Sequence, residues 1–413
     1  MKKLLSKNQW YESQPNKPHS GAEGEAPAAL PMEGATRAPR IEWANFLFIT
    51  LTPVVAIVGT IWTLKNNGFF PETLVWTVVM MFLTGLGITA GYHRLFSHRS
   101  YKTTWFVKLM YLLFGGAAFE GSAREWCCAH RKHHRFVDQE GDPYNIKRGF
   151  WYAHVGWVVL KADQSDESNI PDLKNDKWVL FQDRFYIPLA AMVGIFMPAF
   201  VALIWGDFFG GLFIAGFVRL VLNHHFTFFI NSYCHFFGKQ PYSDKNTARD
   251  STFISFFTYG EGYHNFHHAF EGDYRNGVRF FDFDPGKWLI WGLSKMGWAF
   301  NLKKVNSLRI LATRLAMDEM RLQKKWERQA KYREEWQAFV LRTRNKILKA
   351  QERFIELKAE YQQMKQDRID LVHERVVHLQ HEMKRVKEEL RLGLQEWKFL
   401  IRGQYVLVPI KIG

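Results

Sequence analysis

Cysteine is almost missing from this chain, with three in 413 residues at Cys127, Cys128 and Cys234, the first two adjacent. That excludes a disulfide framework and points to a reducing compartment. No apolar core of the signal-peptide kind follows Met1, which argues against secretion and cleavage. Acidic residues are outnumbered, 40 Asp and Glu against 55 Lys and Arg, for a net charge of +15. Such a surplus suggests nucleic-acid binding at first sight, but its distribution along the chain is explained better by a membrane, and no nucleic-acid partner is expected. Residues 1–40 are rich in Pro, Gly, Ala and Glu without apolar periodicity and read as a mostly disordered arm.

Charge is itself absent from long stretches. Residues 44–64, 74–92 and 187–205 carry no charged side chain, and 208–230 carry only Arg219. Each stretch is close to the ~20 residues that a transmembrane helix needs. The links within each pair are short, at 65–73 and 206–207, whereas the long basic segments are the N-terminal arm, residues 93–186 and everything after Asn231. The bias of Lys and Arg assigns those segments to the cytoplasm, giving four spans with both termini cytoplasmic. The apolar stretch 105–119 contains Lys108 and is short for a crossing, so a re-entrant or interfacial helix is expected there. Asp284 and Pro285 open a tryptophan-bearing segment as N-cap and first helical residue, which reads as a helix lying in the interface.

Histidine is what the chain has in excess. Twelve of its sixteen lie between residues 93 and 268, and nine form a pattern: His93 and His98, then His130, His133 and His134, a lone His235, and His264, His267 and His268. All flank apolar segments on the expected cytoplasmic face. At about 100° per residue His133 and His134 flank His130 on one helix face, and the last triplet repeats that arrangement, so each triplet can serve two neighbouring ions. Asn231 and His235 are i,i+4 and share a face. His93 and His98 are i,i+5, so either the helix loosens at its end or the two serve different metals.

Each motif alone has a plainer explanation. A single histidine pair is often incidental, and HRKHH could be a basic patch against anionic lipid. Three motifs gathered on one membrane face argue for a two-metal centre. A ligand set of imidazoles without bridging carboxylates excludes magnesium and calcium, and nine ligands exceed what a zinc hydrolase uses, which leaves iron and redox chemistry with dioxygen. Cys127 or Cys128 beside His130 is a minor alternative ligand.

The segments GYHRLFSH, REWCCAHRKHH, GDPYNIKRGFWYAHVGW, NSYCHFFG and GEGYHNFHH resemble the membrane fatty acyl desaturases of the stearoyl-CoA desaturase type. The resemblance covers residues 41–306. It implies an all-α integral membrane protein whose four transmembrane helices carry a cytosolic cap with a diiron centre. It also implies that His93, His98, His130, His133, His134, His235, His264, His267 and His268 are ligands, with Asn231 reaching one metal through water. The implied reaction is oxygen-dependent formation of a cis double bond, most often between carbons 9 and 10 of a saturated acyl-CoA. Electrons would come from a separate protein, a b5-like cytochrome or a ferredoxin with its reductase. The C-terminal region lacks the His-Pro-Gly-Gly haem segment of cytochrome b5 and has no cysteines for a cluster, so no fused haem or flavin is expected. An acyl-lipid desaturase or a hydroxylase on the same chemistry is the alternative, and a scaffold with a structural metal site a remote one.

There are departures from the pattern. Animal acyl-CoA enzymes carry an arginine two residues before the second motif, where this chain has Cys128. Arg131, Lys147, Arg148 and Lys161 are the candidates for phosphate contacts, and Trp126 is a further candidate for substrate contact. His224 lies about 10 Å deeper in the fourth span than Asn231, so His224 and His225 read as buried polar groups and His154 as structural. A bacterial inner membrane is expected over endoplasmic reticulum, because no retention signal ends the chain.

Residues 307–413 change character. Between 302 and 413 there are 26 Lys and Arg against 15 Asp and Glu, and Val372, Val376, Leu379, Met383, Val386 and Leu390 form a short heptad seam that fails upstream at Gln362 and Lys365. A helical hairpin packed on itself or on the cap, a coiled coil that makes a homo-oligomer, and a basic strut on anionic lipid are the expectations, in that order.

Overall fold

The computed structural model describes residues 40–160, 167–327, 333–366 and 373–402. All of the N-terminal arm except Arg40, together with Lys161 and Val372, lies outside the described residues.

Among the described residues four helices are long and apolar enough to cross a membrane, Trp43–Asn66, Pro71–Ser97, Tyr186–Trp205 and Phe208–Phe236. Their burial is inverted relative to a water-soluble helix. The first span buries only Thr52, Ala56, Gly59 and Thr63, while its larger side chains face outward, with Leu51 54% and Ile57 61% exposed. Small residues let helix backbones approach, and the large apolar ones meet lipid. The protein is an integral membrane protein, and the spans fall where the uncharged stretches predict them.

The third and fourth spans are joined by a two-residue turn. Gly206 takes a left-handed conformation (φ 83°), which costs a residue without Cβ nothing. Asp207 then caps the fourth span, accepting from Gly210 N at 2.9 Å and from Thr73 Oγ1 at 2.5 Å. Arg219, the one charge within that span, is fully buried. It donates to the carbonyls of Ala117, Gly194 and Ala215, so the guanidinium is satisfied by main chain.

The second span changes winding at Gly87, and Gly87–Ser97 is a π-helix. His98 N donates to His93 O at 3.0 Å, an i→i+5 bond. This is the loosening that the His93/His98 spacing predicts. A short helix, α1 (Trp105–Gly116), packs along this stretch as the expected non-spanning segment. A Cβ on Gly91 would stand 2.6 Å from Tyr111 Cβ, so the close approach depends on that glycine.

The cap follows. Helix α2 (Ala123–Phe136) starts at a capping box in which Ser122 Oγ accepts from Glu125 N and Glu125 accepts from Ser122 N. Helix α3 (His264–Ala269) carries the third histidine motif, and α4 (Pro285–Lys295) begins at Asp284, which accepts from Lys287 N at 2.9 Å. A two-residue ladder that the helical reading did not include pairs β1 (Lys102–Thr103) with β2 (Ala299–Phe300), antiparallel, Lys102 opposite Phe300. It ties the chain entering α1 to the end of the cap.

Among the described residues beyond 306 stand three long helices, α5 (Ser307–Trp326), α6 (Arg333–Gln366) and α7 (His373–Arg402). Leu315, Leu322, Val340, Ile347, Trp397 and Leu400 form a core shared by all three. Farther along, Ala350, Leu357, Leu379 and Val386 join α6 to α7 alone. The heptad seam is therefore closed within the chain as a hairpin, the first of the expected arrangements.

Candidate metal centre

The capping box fixes where α2 begins, and the 3.6-residue period then sends His130 and His134 one way and His133 the other. Two groups of imidazoles result, His93, His98, His130, His134 and His267 in one, and His133, His235, His264 and His268 in the other. Within each group the ligand atoms all lie within 4.8 Å of one another. The nine expected histidines are brought together, and both triplets are split between the groups. His93 and His98 belong to the same group, because the π-winding carries the i,i+5 pair round to one side.

The rings share one orientation. Nε2 points inward in His93 and His267 (3.0 Å apart), His98 and His130 (2.8 Å), His134 and His267 (3.0 Å), His235 and His264 (3.1 Å) and His264 and His268 (3.1 Å). Three of the outward Nδ1 atoms lie beside carboxylates: His93 meets Glu261 at 3.0 Å, His133 meets Asp142 at 2.8 Å and His134 meets Glu271 at 3.1 Å. His235 Nδ1 meets Thr247 Oγ1 at 2.8 Å, and that hydroxyl donates to Asp138 at 2.6 Å. An ionised carboxylate can only accept, so it fixes the proton on Nδ1 and leaves the Nε2 lone pair facing inward. Converging lone pairs repel unless a cation lies among them. Adjacent ligands about 2.1 Å from a metal stand roughly 3 Å apart when they subtend a right angle, and the observed separations match. The donor set fits a transition-metal ion in each group.

Protonation agrees with that geometry. Burial, reinforced by neighbouring imidazoles, holds His98, His130, His264, His267 and His268 well below the usual histidine range. Burial also takes His134 down to about 4 against the pull of Glu271. Neutral rings are the ligating form. Glu261 is held in turn by Arg94 Nη2 (3.0 Å) and Asn276 Nδ2 (2.5 Å), and Arg94 reaches Asp284 at 2.9 Å, which joins the second span to α3 and α4 beneath the metal groups.

The remaining candidates separate. Asn231 ends the main helix of the fourth span, and the chain re-forms a short helix at Tyr233–Phe236 that carries His235. Trp126 is close to the centre, its ring stacked on His130 with centroids 4.8 Å apart and its N–H donating to Glu120 at 3.2 Å. Arg131 is not available to a phosphate. Its guanidinium makes a two-point pair with Asp172 (2.7 and 2.8 Å) and also donates to the carbonyls of Phe96, Ser97 and Asn169. All five of its donor hydrogens are spent on holding α2 to its neighbours, so it is structural. Lys147 and Arg148 are exposed, and Arg148 lies over the Tyr152 ring at 3.6 Å.

Cys127 and Cys128 are buried outside both groups, and that placement counts against the cysteine alternative. His154 bonds Ser232 (2.9 Å) and His225 (3.0 Å), while His224 bonds the Ala118 carbonyl (2.9 Å), all outside the two groups as expected. Sequence reasoning missed the outer partners Glu261, Asp142, Glu271 and Thr247, and also Glu120. Glu261 stands in GEGYHNFHH beside His264 yet serves His93, 168 positions away in the chain.

Comparison with known proteins agrees with this geometry. A family model described as fatty acid desaturase matches residues 71–304. The chain is 44% identical over 265 residues to a probable acyl-CoA desaturase of Schizosaccharomyces pombe, covering 63% of this chain and 54% of that protein. It is 38% identical over 291 residues to acyl-CoA desaturase 1 of Saccharomyces cerevisiae (69% and 56%) and 34% identical over 283 residues to human stearoyl-CoA desaturase (66% and 78%). The chain thus spans little more than half the length of the two yeast relatives. All three organisms are eukaryotes, which does not favour the bacterial inner membrane expected from the sequence.

Proposed function

The chain belongs to the fatty acid desaturase family, and on that premise we propose that it is an oxygen-dependent desaturase placing a cis double bond, at carbons 9 and 10, in a saturated acyl-CoA. The observation that carries this is the set of nine inward Nε2 atoms in two groups, with acids beside the outer nitrogens of His93, His133 and His134. His93, His98, His130, His134 and His267 would hold one iron, and His133, His235, His264 and His268 the other, with Asn231 acting through water. Two irons, when bound, would activate dioxygen, the oxidant, toward a methylene C–H bond that no side-chain acid or base can break.

The protein's own residues do the rest. Glu261, Asp142, Glu271 and Thr247 set tautomer and ring direction. Trp126, against His130 and fixed by Glu120, forms an apolar wall where an acyl chain would meet the centre. Removing two hydrogens while reducing dioxygen to two waters takes two further electrons, and the proposed source is a donor protein, a b5-like cytochrome or a ferredoxin. The Lys and Arg bias supports a cytoplasmic face for the centre, and exposed Lys147 and Arg148, with Lys161, are the proposed contacts for CoA phosphates.

Expression of the wild type and of His267→Ala in a host without its own desaturase, with a donor system supplied, tests the reading. Lipid profiling with double-bond location should show a new cis monounsaturated acid with the wild type alone. Hydroxylated acids in its place would move the protein to the hydroxylase alternative.

A further inference from the structure

We propose that Glu271 is a positioning residue for the metal of the five-histidine group, holding His134 in the tautomer and orientation that ligation needs. The inference rests on the metal-centre reading above and assigns a function to a side chain that no motif marks. Glu271 lies three residues after His268, just beyond the end of α3, and its Oε2 is 3.1 Å from His134 Nδ1 on α2. It thus links the second and third histidine motifs through one hydrogen bond.

The other carboxylates serving the rings are shared and buried. Glu261 also holds Arg94 and Asn276, and Asp142 also accepts from two backbone amides. Both are at most 3% exposed at the side chain, whereas Glu271 is 61% exposed. Among the described residues its one ion pair is with His134, so its charge and its acceptor atoms are given to that ring alone. Because the carboxylate is not part of the core, removing it leaves packing intact and changes mainly the ring it orients. Loss of such an outer partner typically weakens metal binding about 10–100-fold.

The test uses the full chain in detergent, stripped of metal and titrated anaerobically with Fe(II), with metal per chain and competition against a chelator as readouts. Wild type should bind two irons. Glu271→Ala should weaken one of the two about 10–100-fold and leave the other unchanged. Glu271→Gln, whose amide oxygen can still accept from Nδ1–H, should recover most of that affinity. The metal-free forms of all three should unfold at the same temperature. Equal affinities in wild type and Glu271→Ala, or a Glu271→Ala chain already destabilised without metal, would overturn the positioning role alone. A wild type that binds no iron would overturn the metal-centre reading with it.

Discussion

Glu120 offers a perturbation whose size can be worked from its surroundings. It sits between α1 and α2, accepting from Thr227 Oγ1 at 2.7 Å and from Trp126 Nε1 at 3.2 Å. Burial pushes its carboxyl from an ordinary 4.5 up to about 7, although both hydrogen bonds pull the other way. The folded protein therefore binds this proton more tightly than the unfolded chain. Stability attributable to Glu120 is greatest below its unfolded value, falls as pH rises from there toward 7, and is flat above. At one pH unit per 1.36 kcal/mol the complete loss is about 3 kcal/mol, and about 2 kcal/mol once its partial exposure is allowed for. Glu120→Gln copies the protonated acid, since its amide oxygen can accept from Trp126 while its NH2 donates to Thr227. Denaturant unfolding in detergent at about pH 5 and about pH 8 should show wild type losing about 2 kcal/mol relative to the variant across that interval. Every other titrating group is common to both proteins and cancels. Parallel pH profiles for the two would refute the reasoning and mean that Glu120 is ionised in the folded protein at both pH values.

Three further outcomes are expected. Gly91→Ala forces a methyl group to within 2.6 Å of Tyr111 Cβ and should cost about 1–3 kcal/mol in thermal unfolding, with reduced metal content because His93 is two residues on. Arg131→Ala should lower stability by roughly 2 kcal/mol, discounted for the partial exposure of Asp172, with no change in KM for acyl-CoA. Burial pushes the Asp172 carboxyl up, but Arg131 outweighs it and holds it below its usual range. That contribution is present at neutral pH and disappears as pH falls through the lowered value, so the two unfolding curves should converge in acid. Ile310→Ala, which empties a buried position against Phe266 and Phe270, should cost about 3 kcal/mol and increase loss of metal to a chelator.

The spans and the nine histidines were legible because each is a local signal, an uncharged run of membrane length or an imidazole spacing that maps onto one helix face. The π-helix was legible only as one of two alternatives, since the His93/His98 spacing asks either for a loosened helix end or for two different metals, and the structure has the loosened end. The outer shell could not be read that way. Asp142 is nine residues from His133, but Glu261, Glu271 and Glu120 reach partners on other elements, and an isolated acid in a sequence carries no sign of what the fold sets beside it. Arg131 was misread for the related reason that a cation within HRKHH looks free until Asp172 and three carbonyls are brought to it.

The C-terminal seam shows how a correct period can still mislead. Followed upstream as one helix, the seam of Leu379, Met383, Val386 and Leu390 runs into Gln362 and Lys365 and stops. The structure has two antiparallel helices, and α6 carries its own seam in another register: Val340, Thr343, Ile347, Ala350, Phe354, Leu357, Tyr361 and Met364, alternating steps of three and four. Two registers with a break between them make a hairpin, whereas one continuous register would make a longer rod. The hairpin in turn reaches the metal centre through α5. The third histidine motif sits on a helix of only six residues, too short to be stable alone. Asp250 anchors it by accepting from Phe266 N at 3.0 Å, and Asn265 by bonding Ser243 and Ala248. On its outer side Phe266 and Phe270 are covered by Ile310 from α5. A segment beyond the family match at residue 304 therefore closes the apolar side of the helix that bears His264, His267 and His268, and the extension contributes to the centre by packing, without supplying any of its ligands.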